Sequence, residues 1–305
     1  MSKVDSIKAK IRNLAIKEGR PFDYLLIYYF IERLLYRLSV SRYADNFILK
    51  GGLLLYTVLD NDARFTKDID FLARRINNSP DEIVAIFSEI AAIPLDDAVR
   101  YDAQSITVER IKEDADYQGV RVKLAGYLDK SRHVLQFDIG FGDVIVPQPS
   151  EMEYPSLLNM DRAKLKAYSL ESVIAEKFEA MIYLAEANSR MKDFYDIYTI
   201  CRKFEFEGRV LFEAVSQTLE HRATPLNRVP TVFSSEFPEI KDKQTQWKAF
   251  RRRIKVATGL EFPEVVNLIK TFLEPIYTCV LEEKEFYGIW NCETGEWCIK
   301  AEQIR

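Results

Sequence analysis

Apolar residues recur at helical spacing in two stretches near the start of the chain. Val4, Ile7, Ile11, Leu14 and Ala15 form one stripe over residues 3–17. Leu26, Ile27, Phe30, Ile31, Leu34, Leu35 and Leu38 form a denser one further on. Arg20-Pro21 separates them, because proline breaks a helix, and Asp23 is placed to cap the second. Phe47-Ile48-Leu49-Lys50 then runs into Gly51-Gly52 and a short apolar helix, Leu53 to Leu59. Alternation of apolar and polar residues predicts a strand over 64–72, and a helical stripe follows over 81–92. Further strands are predicted over 105–111, 120–127 and 134–139, with Glu113-Asp114-Ala115-Asp116 as a solvated hairpin tip. From about residue 157 the strand pattern gives way to helices over 169–187, 192–204, 210–219, 242–256 and 263–283. Pro147, Pro149 and Pro155 fall close together, which places a domain boundary there and divides the chain into 1–160 and 161–305. The tail, 287–300, alternates aromatic and polar residues around Glu293-Thr294-Gly295 and reads as a β-hairpin. Cys292 and Cys298 flank its turn as a reduced cross-strand pair. The order implies an α+β fold with a mixed sheet, followed by an α-helical domain and a small C-terminal hairpin.

Composition narrows the class. The chain has 305 residues, 48% hydrophobic and 30% charged, which suits a folded protein with a sizeable core. Forty-three basic against 47 acidic residues leave a net charge of −4, so any nucleic-acid binding must rest on a local basic patch. Four cysteines are too few for a disulfide scaffold, and two histidines argue against a His-rich metal site or a Ser-His-Asp enzyme. The opening segment has no apolar block after its basic start, and Glu32, Arg33 and Arg37 interrupt the longest apolar run. A cytoplasmic protein with no membrane partner is expected.

The chemistry concentrates in Thr66-Lys67-Asp68-Ile69-Asp70-Phe71. Asp68 and Asp70 are two apart on a strand and project from one face. Their repulsion favours a divalent cation, and Mg²⁺ takes one or two carboxylates together with waters and phosphates. The plain alternative is a solvent-facing acidic pair. Upstream, Gly51-Gly52 opens a helix, where backbone N–H groups can approach a phosphate; alone, it is equally a turn. In Val134-Leu135-Gln136-Phe137-Asp138-Ile139, Asp138 lies on the face opposite the apolar residues and is a third candidate carboxylate, as ligand or general base. On the helix from Ser169, Lys177 falls on the buried stripe, so it either snorkels or meets an anion such as a triphosphate. Asp193 and Asp196, three apart, share a face of the next helix.

Leu49-Lys50-Gly51-Gly52, Thr66-Lys67-Asp68-Ile69-Asp70, Ala175-Glu176-Lys177 and Lys192-Asp193-Phe194-Tyr195-Asp196, in this order and spacing, resemble the four-motif pattern of AbiEii-type nucleotidyltransferases, the toxin components of abortive-infection toxin–antitoxin systems. The first two motifs are shared with the wider DNA polymerase β-like superfamily; the last two are more specific. The resemblance covers roughly residues 20–205. It implies a polymerase β-like nucleotidyltransferase domain followed by a helical domain. It also implies Mg²⁺-dependent transfer of a nucleotide from an NTP to an acceptor, often RNA such as a tRNA 3′ end, and a cognate antitoxin. By motif, Lys50, Gly51 and Gly52 would cradle the triphosphate, and Asp68 and Asp70 would hold Mg²⁺. Lys177 would contact nucleotide phosphates, with Asp193 and Asp196 positioning it or the nucleotide. Thr66 stands where some relatives carry a modifiable hydroxyl residue, though an ordinary strand threonine is the simpler reading. Asp138 matches no firm motif of the family.

Trp247-Lys248-Ala249-Phe250-Arg251-Arg252-Arg253-Ile254-Lys255 interleaves cations with aromatics on a predicted helix. Lys248, Arg251, Arg252 and Arg253 are candidate contacts to an RNA acceptor, against a solvated basic face as the alternative. Two rival functions keep the fold. A small-molecule, antibiotic-type nucleotidyltransferase would need an acidic acceptor cleft. A non-catalytic member would only bind an antitoxin or RNA, which intact Asp68, Asp70 and Lys177 weigh against. If Lys177 holds the triphosphate, Lys177→Met should leave the fold intact or more stable and lower NTP affinity; if it only snorkels, the substitution should be silent in both.

Overall fold

The computed structural model describes residues 2–113, 117–254 and 259–298. Two compact units divide the chain: Met1–Thr57, Thr66–Gly142 and Ser150–Ala167 form the first, and Val58–Phe65, Asp143–Pro149 and Tyr168–Arg305 the second. The segment Glu113 to Asp116 (apart from the backbone of Glu113), Lys255 and the end of the tail lie outside the described residues.

The first unit opens with α1 (Lys3–Glu18) and α2 (Phe22–Ser39). Ser2 caps α1 in a capping box with Asp5, and Gly19 ends it in the left-handed region at φ 63. Asp23 makes no cap; α2 begins one residue earlier, behind Pro21. The charges that interrupt the apolar run of α2 are buried rather than solvated. Arg37 forks onto Asp97 at 2.6 and 3.1 Å, and Arg33 reaches the same carboxylate at 3.2 Å and Glu32 at 3.2 Å. Burial pushes the Glu32 carboxyl above the usual range, against the Leu157 N–H and Ser156 hydroxyl that bond its ionised form. This closed set of opposite charges lets a charged helix face enter the core.

β1 (Phe47–Lys50) leads directly into α3 (Gly51–Leu59), then β2 (Asp68–Ala73), α4 (Pro80–Ala92), β3 (Arg100–Glu113), β4 (Tyr117–Leu128), β5 (Ser131–Phe141), β6 (Ser150–Glu153) and β7 (Lys164–Ala167). The strands form one mixed sheet in the order β3-β4-β5-β2-β1-β7-β6. β2 pairs parallel with β5 and antiparallel with β1, while β1 pairs parallel with β7. Residues 64–67, predicted as strand, precede β2 without entering the ladder, and β7 falls where the pattern had turned helical. Lys164–Ala167 is a short alternation, buried at Leu165 and Ala167, and it becomes a strand only because β1 and β6 flank it. Phe47, Phe71, Phe87 and Phe137 pack at 5.0–6.4 Å between ring centres at the centre of this unit.

The second unit is built from α5 (Leu170–Leu184), α6 (Met191–Lys203), α7 (Gly208–His221), α8 (Lys241–Ile254) and α9 (Phe262–Leu281). A small sheet joins β8 (Phe206–Glu207) to the tail hairpin, β9 (Ile289–Asn291) and β10 (Glu296–Cys298). Cys298 stands opposite Ile289 and Cys292 lies in the turn, so the cysteines are not a cross-strand pair. Trp290 is fully buried, with its indole N–H donating 2.6 Å to the Cys201 carbonyl. The hairpin is thereby a packed part of this unit. No helix among the described residues is long and apolar enough to cross a membrane.

Candidate functional site

In the first unit, β1 and β2 bring the Gly-Gly and Asp-x-Asp segments together. Lys50 stands opposite Asp70 in the antiparallel register. Gly51 follows at φ 67, and a Cβ there would meet Asp70 Oδ2 at 2.1 Å and Asp70 Cβ at 2.9 Å. Only glycine satisfies both the left-handed backbone and this approach. Asp68 and Asp70 alternate with buried Ile69 and Phe71, so both carboxylates lie on one half-exposed face of β2. Buried Thr66 braces the entry to the strand. Its hydroxyl accepts from the Asp68 N–H at 3.3 Å, and its own N–H donates 3.3 Å to the Tyr28 hydroxyl.

Asp138 is the β5 neighbour of Asp70 in the parallel register. It is also opposite Arg121 on β4, whose guanidinium donates to both carboxylate oxygens at 2.8 Å. Arg121 was not singled out in the sequence. Its signal is positional, a cation on the strand beside an otherwise unbalanced acid. Among the described residues, no group of three or more His, Cys, Asp or Glu side chains is gathered as a metal site. Asp68 and Asp70 remain a hard-oxygen pair of the kind that suits Mg²⁺.

In the second unit, Lys177 of α5 meets Asp193 and Asp196 of α6. Its ammonium donates to Asp193 Oδ1 at 2.7 Å and to Asp196 Oδ2 at 2.8 Å. The lysine side chain is 11% exposed and the aspartates 0% and 1%. Two further cations close the cluster. Arg64 forks onto Asp196 at 3.0 and 3.1 Å, and Arg190 Nε lies 2.7 Å from Asp193 Oδ2, out of line for a hydrogen bond. Burial pulls the Lys177 ammonium down, but the two carboxylates outweigh it and hold its pKa above the ordinary value. Burial likewise pushes Asp193 up, and Lys177 with Arg190 brings it below the usual carboxylate range. Lys177, Arg64 and Arg190 thus surround Asp193 and Asp196. Arg64 escapes sequence reasoning because nothing local pairs it with Asp196, 132 residues away; Arg190 stands only three residues from Asp193, and that i,i+3 spacing is the signal that could have found it.

The model of the nucleotidyl transferase AbiEii toxin family, a type IV toxin–antitoxin system, matches residues 33–268. The chain belongs to this family. The match spans both units and every motif named above, so this AbiEii member is a nucleotidyltransferase toxin by family. Two solved structures from Helicobacter pylori resemble it, each with 13% identity and a TM-score of 0.45. One is described as a candidate nucleotidyltransferase and covers 83% of this chain and 94% of its own; the other, JHP933, covers 82% and 90%. At that distance they add nothing to the family assignment. No curated protein matches the chain.

The basic segment of this AbiEii member is only partly a free surface. On α8, Trp247 and Phe250 are buried. Arg251 turns onto the Leu260 carbonyl and onto Glu261 Oε1 at 2.8 Å. Lys248, Arg252 and Arg253 are exposed, with Arg253 5.7 Å from the Phe250 ring.

Proposed function

We propose that this chain transfers a nucleotide from an NTP to an RNA acceptor such as a tRNA 3′ end, with Mg²⁺ at Asp68 and Asp70. The observation that carries the reading is the fit of Gly51 against Asp70, which couples a glycine turn at a helix start to a carboxylate pair on the adjacent strand. A turn of this kind presents backbone N–H groups to phosphate, and the helix start favours its charge. Bound Mg²⁺ would supply charge neutralisation for the triphosphate and its leaving group. Lys50, Gly51 and Gly52 would hold the phosphate chain.

Lys177 would act on the nucleotide phosphates. An ammonium has three N–H donors, and two are directed at Asp193 and Asp196. The carboxylates fix its position, and the third donor suits a phosphate oxygen. Asp138 stands outside this set, since both its oxygens accept from Arg121. Membership of a toxin–antitoxin family supports a cognate antitoxin as partner.

The test is incubation of the protein with each labelled NTP, Mg²⁺ and total cellular RNA, followed by separation of labelled RNA. Label appearing in a discrete RNA species, and lost in Asp70→Asn, supports the reading. Label in neither RNA nor any other acceptor, with NTP bound, would sink it in favour of a binding-only member.

A further inference from the structure

α6 has a second face. Asp193 and Asp196 hold Lys177 on one side, and Tyr195, Tyr198 and Arg202, offset by two residues and therefore by about half a turn, lie on the other. That second face lines a cleft of about 530 Å³, together with Lys203, Asp62 and Glu264. The volume falls within the range of small-ligand sites.

We infer that this cleft takes one nucleotide of the single-stranded RNA acceptor, with an amino-bearing base against Tyr198 and its phosphate at Arg202 and Lys203. The inference rests on the proposed RNA acceptor. The Tyr198 ring is half-buried, and its hydroxyl donates to Glu264 Oε1 at 3.2 Å, so the ring is oriented before anything binds. Tyr195 is fixed likewise, its hydroxyl donating 2.9 Å to the Asp62 carbonyl. Aromatic faces beside cations suit single-stranded nucleic acid, because every base has a face to stack. Arg202 is exposed, with its guanidinium 5.9 Å from the Tyr198 ring. Lys203 reaches the exposed Asp60 at 3.1 Å, a surface pair that a phosphate can replace at little cost. The carboxylates of Asp62 and Glu264 can only accept hydrogen bonds, which favours a base carrying an exocyclic amine. Leu260 also lines the cleft, and its carbonyl accepts from Arg251 of α8.

The experiment titrates the full chain into labelled eight-nucleotide oligo(C) and oligo(U), read by fluorescence anisotropy. These pyrimidines differ in an amino or a carbonyl group at C4. Oligo(C) should bind several-fold tighter. Tyr198→Leu should weaken oligo(C) about tenfold through lost stacking. Arg202→Gln, on an exposed side chain, should reduce the slope of log affinity against log salt by about 0.7. Calorimetric affinity for NTPs should be unchanged in both variants. Oligo(U) binding as tightly as oligo(C), or affinity and salt slope unaltered in both variants, would overturn the assignment. Parallel loss of NTP affinity would overturn it in favour of a free-nucleotide subsite. A wild type that binds oligo(C) through these residues but labels no RNA would refute the proposed transfer reaction and leave the cleft standing.

Discussion

Lys177→Met is the sharpest test of the buried cluster. On the sequence alone, replacing a lysine on an apolar stripe by a side chain of similar volume should be neutral or stabilising. The structure reverses that expectation. Lys177 makes charge-assisted hydrogen bonds to two fully buried carboxylates, and the methionine supplies neither. Breaking a buried ion pair from one side costs about 3–5 kcal/mol, because the remaining charge is left without its partner. Here Asp196 keeps Arg64 and Asp193 keeps Arg190, which places the loss near the lower figure, about 3 kcal/mol. For a chain of this size that is a fall in Tm of about 5–10 °C. The pH dependence has a defined sign. Asp193 is depressed, so its share of stability is present above the unfolded carboxylate value near 4 and is lost as pH falls through its folded pKa. Lys177 is raised, so its share is present below about 10.4 and is lost as pH rises through its folded value. The gap between wild type and variant should therefore be flat from about pH 5 to 9 and shrink below about pH 4. Thermal unfolding of Lys177→Met, Asp193→Asn and the double variant across that range measures it. The double variant should lose less than the sum of the singles, since each single strands the other's partner. A variant as stable as wild type at pH 7, with additive effects in the double, would refute the cluster as described.

Asp68→Asn or Asp70→Asn should abolish nucleotide transfer while leaving the melting temperature within a few degrees; transfer near wild-type rates by either would remove the metal assignment. Gly51→Ala should both destabilise the fold and abolish transfer, because the left-handed φ of 67 and the 2.1 Å approach of Asp70 exclude a Cβ; circular dichroism melts and the labelling assay check the two halves. Replacing Lys248, Arg252 and Arg253 by Gln should weaken RNA binding and flatten its salt dependence at unchanged stability, whereas Arg251→Gln should lower stability through loss of the Leu260 and Glu261 bonds; equal behaviour of the two variants in both assays would contradict the partition. Arg222→Met should destabilise by about 3–5 kcal/mol, since it removes the guanidinium bonded to buried Glu179 and Asp143, as denaturant titration would register.

The sequence by itself determined the longer elements and the family. Helical and alternating periodicities are local, and so α1, α2, α4 and the long strands β3, β4 and β5 were legible from apolar spacing. The motifs were legible too, because Gly51-Gly52, Asp68-x-Asp70 and the Asp193, Asp196 pair are defined by short intervals that fix which side chains share a face. Tertiary structure alone decided the partners. Lys177 on an apolar stripe had two readings by its spacing, the family resemblance left Asp193 and Asp196 to position it or the nucleotide, and the packing of α5 on α6 made it the donor to both carboxylates. Asp138 looked available until β4 set Arg121 opposite it. Arg64 reaches Asp196 across 132 residues, and Val58–Phe65 and Asp143–Pro149 pack with the helical unit although they lie within the sheet-forming half of the chain. β7 and β8 are too short to carry a period of their own and exist as strands because neighbours complete their ladders. The physical reason is common to these cases. Backbone preference and apolar spacing act over a few residues and are written in order along the chain. The neutralisation of a buried charge depends on which distant side chain the fold brings within hydrogen-bonding distance, and no local interval encodes that.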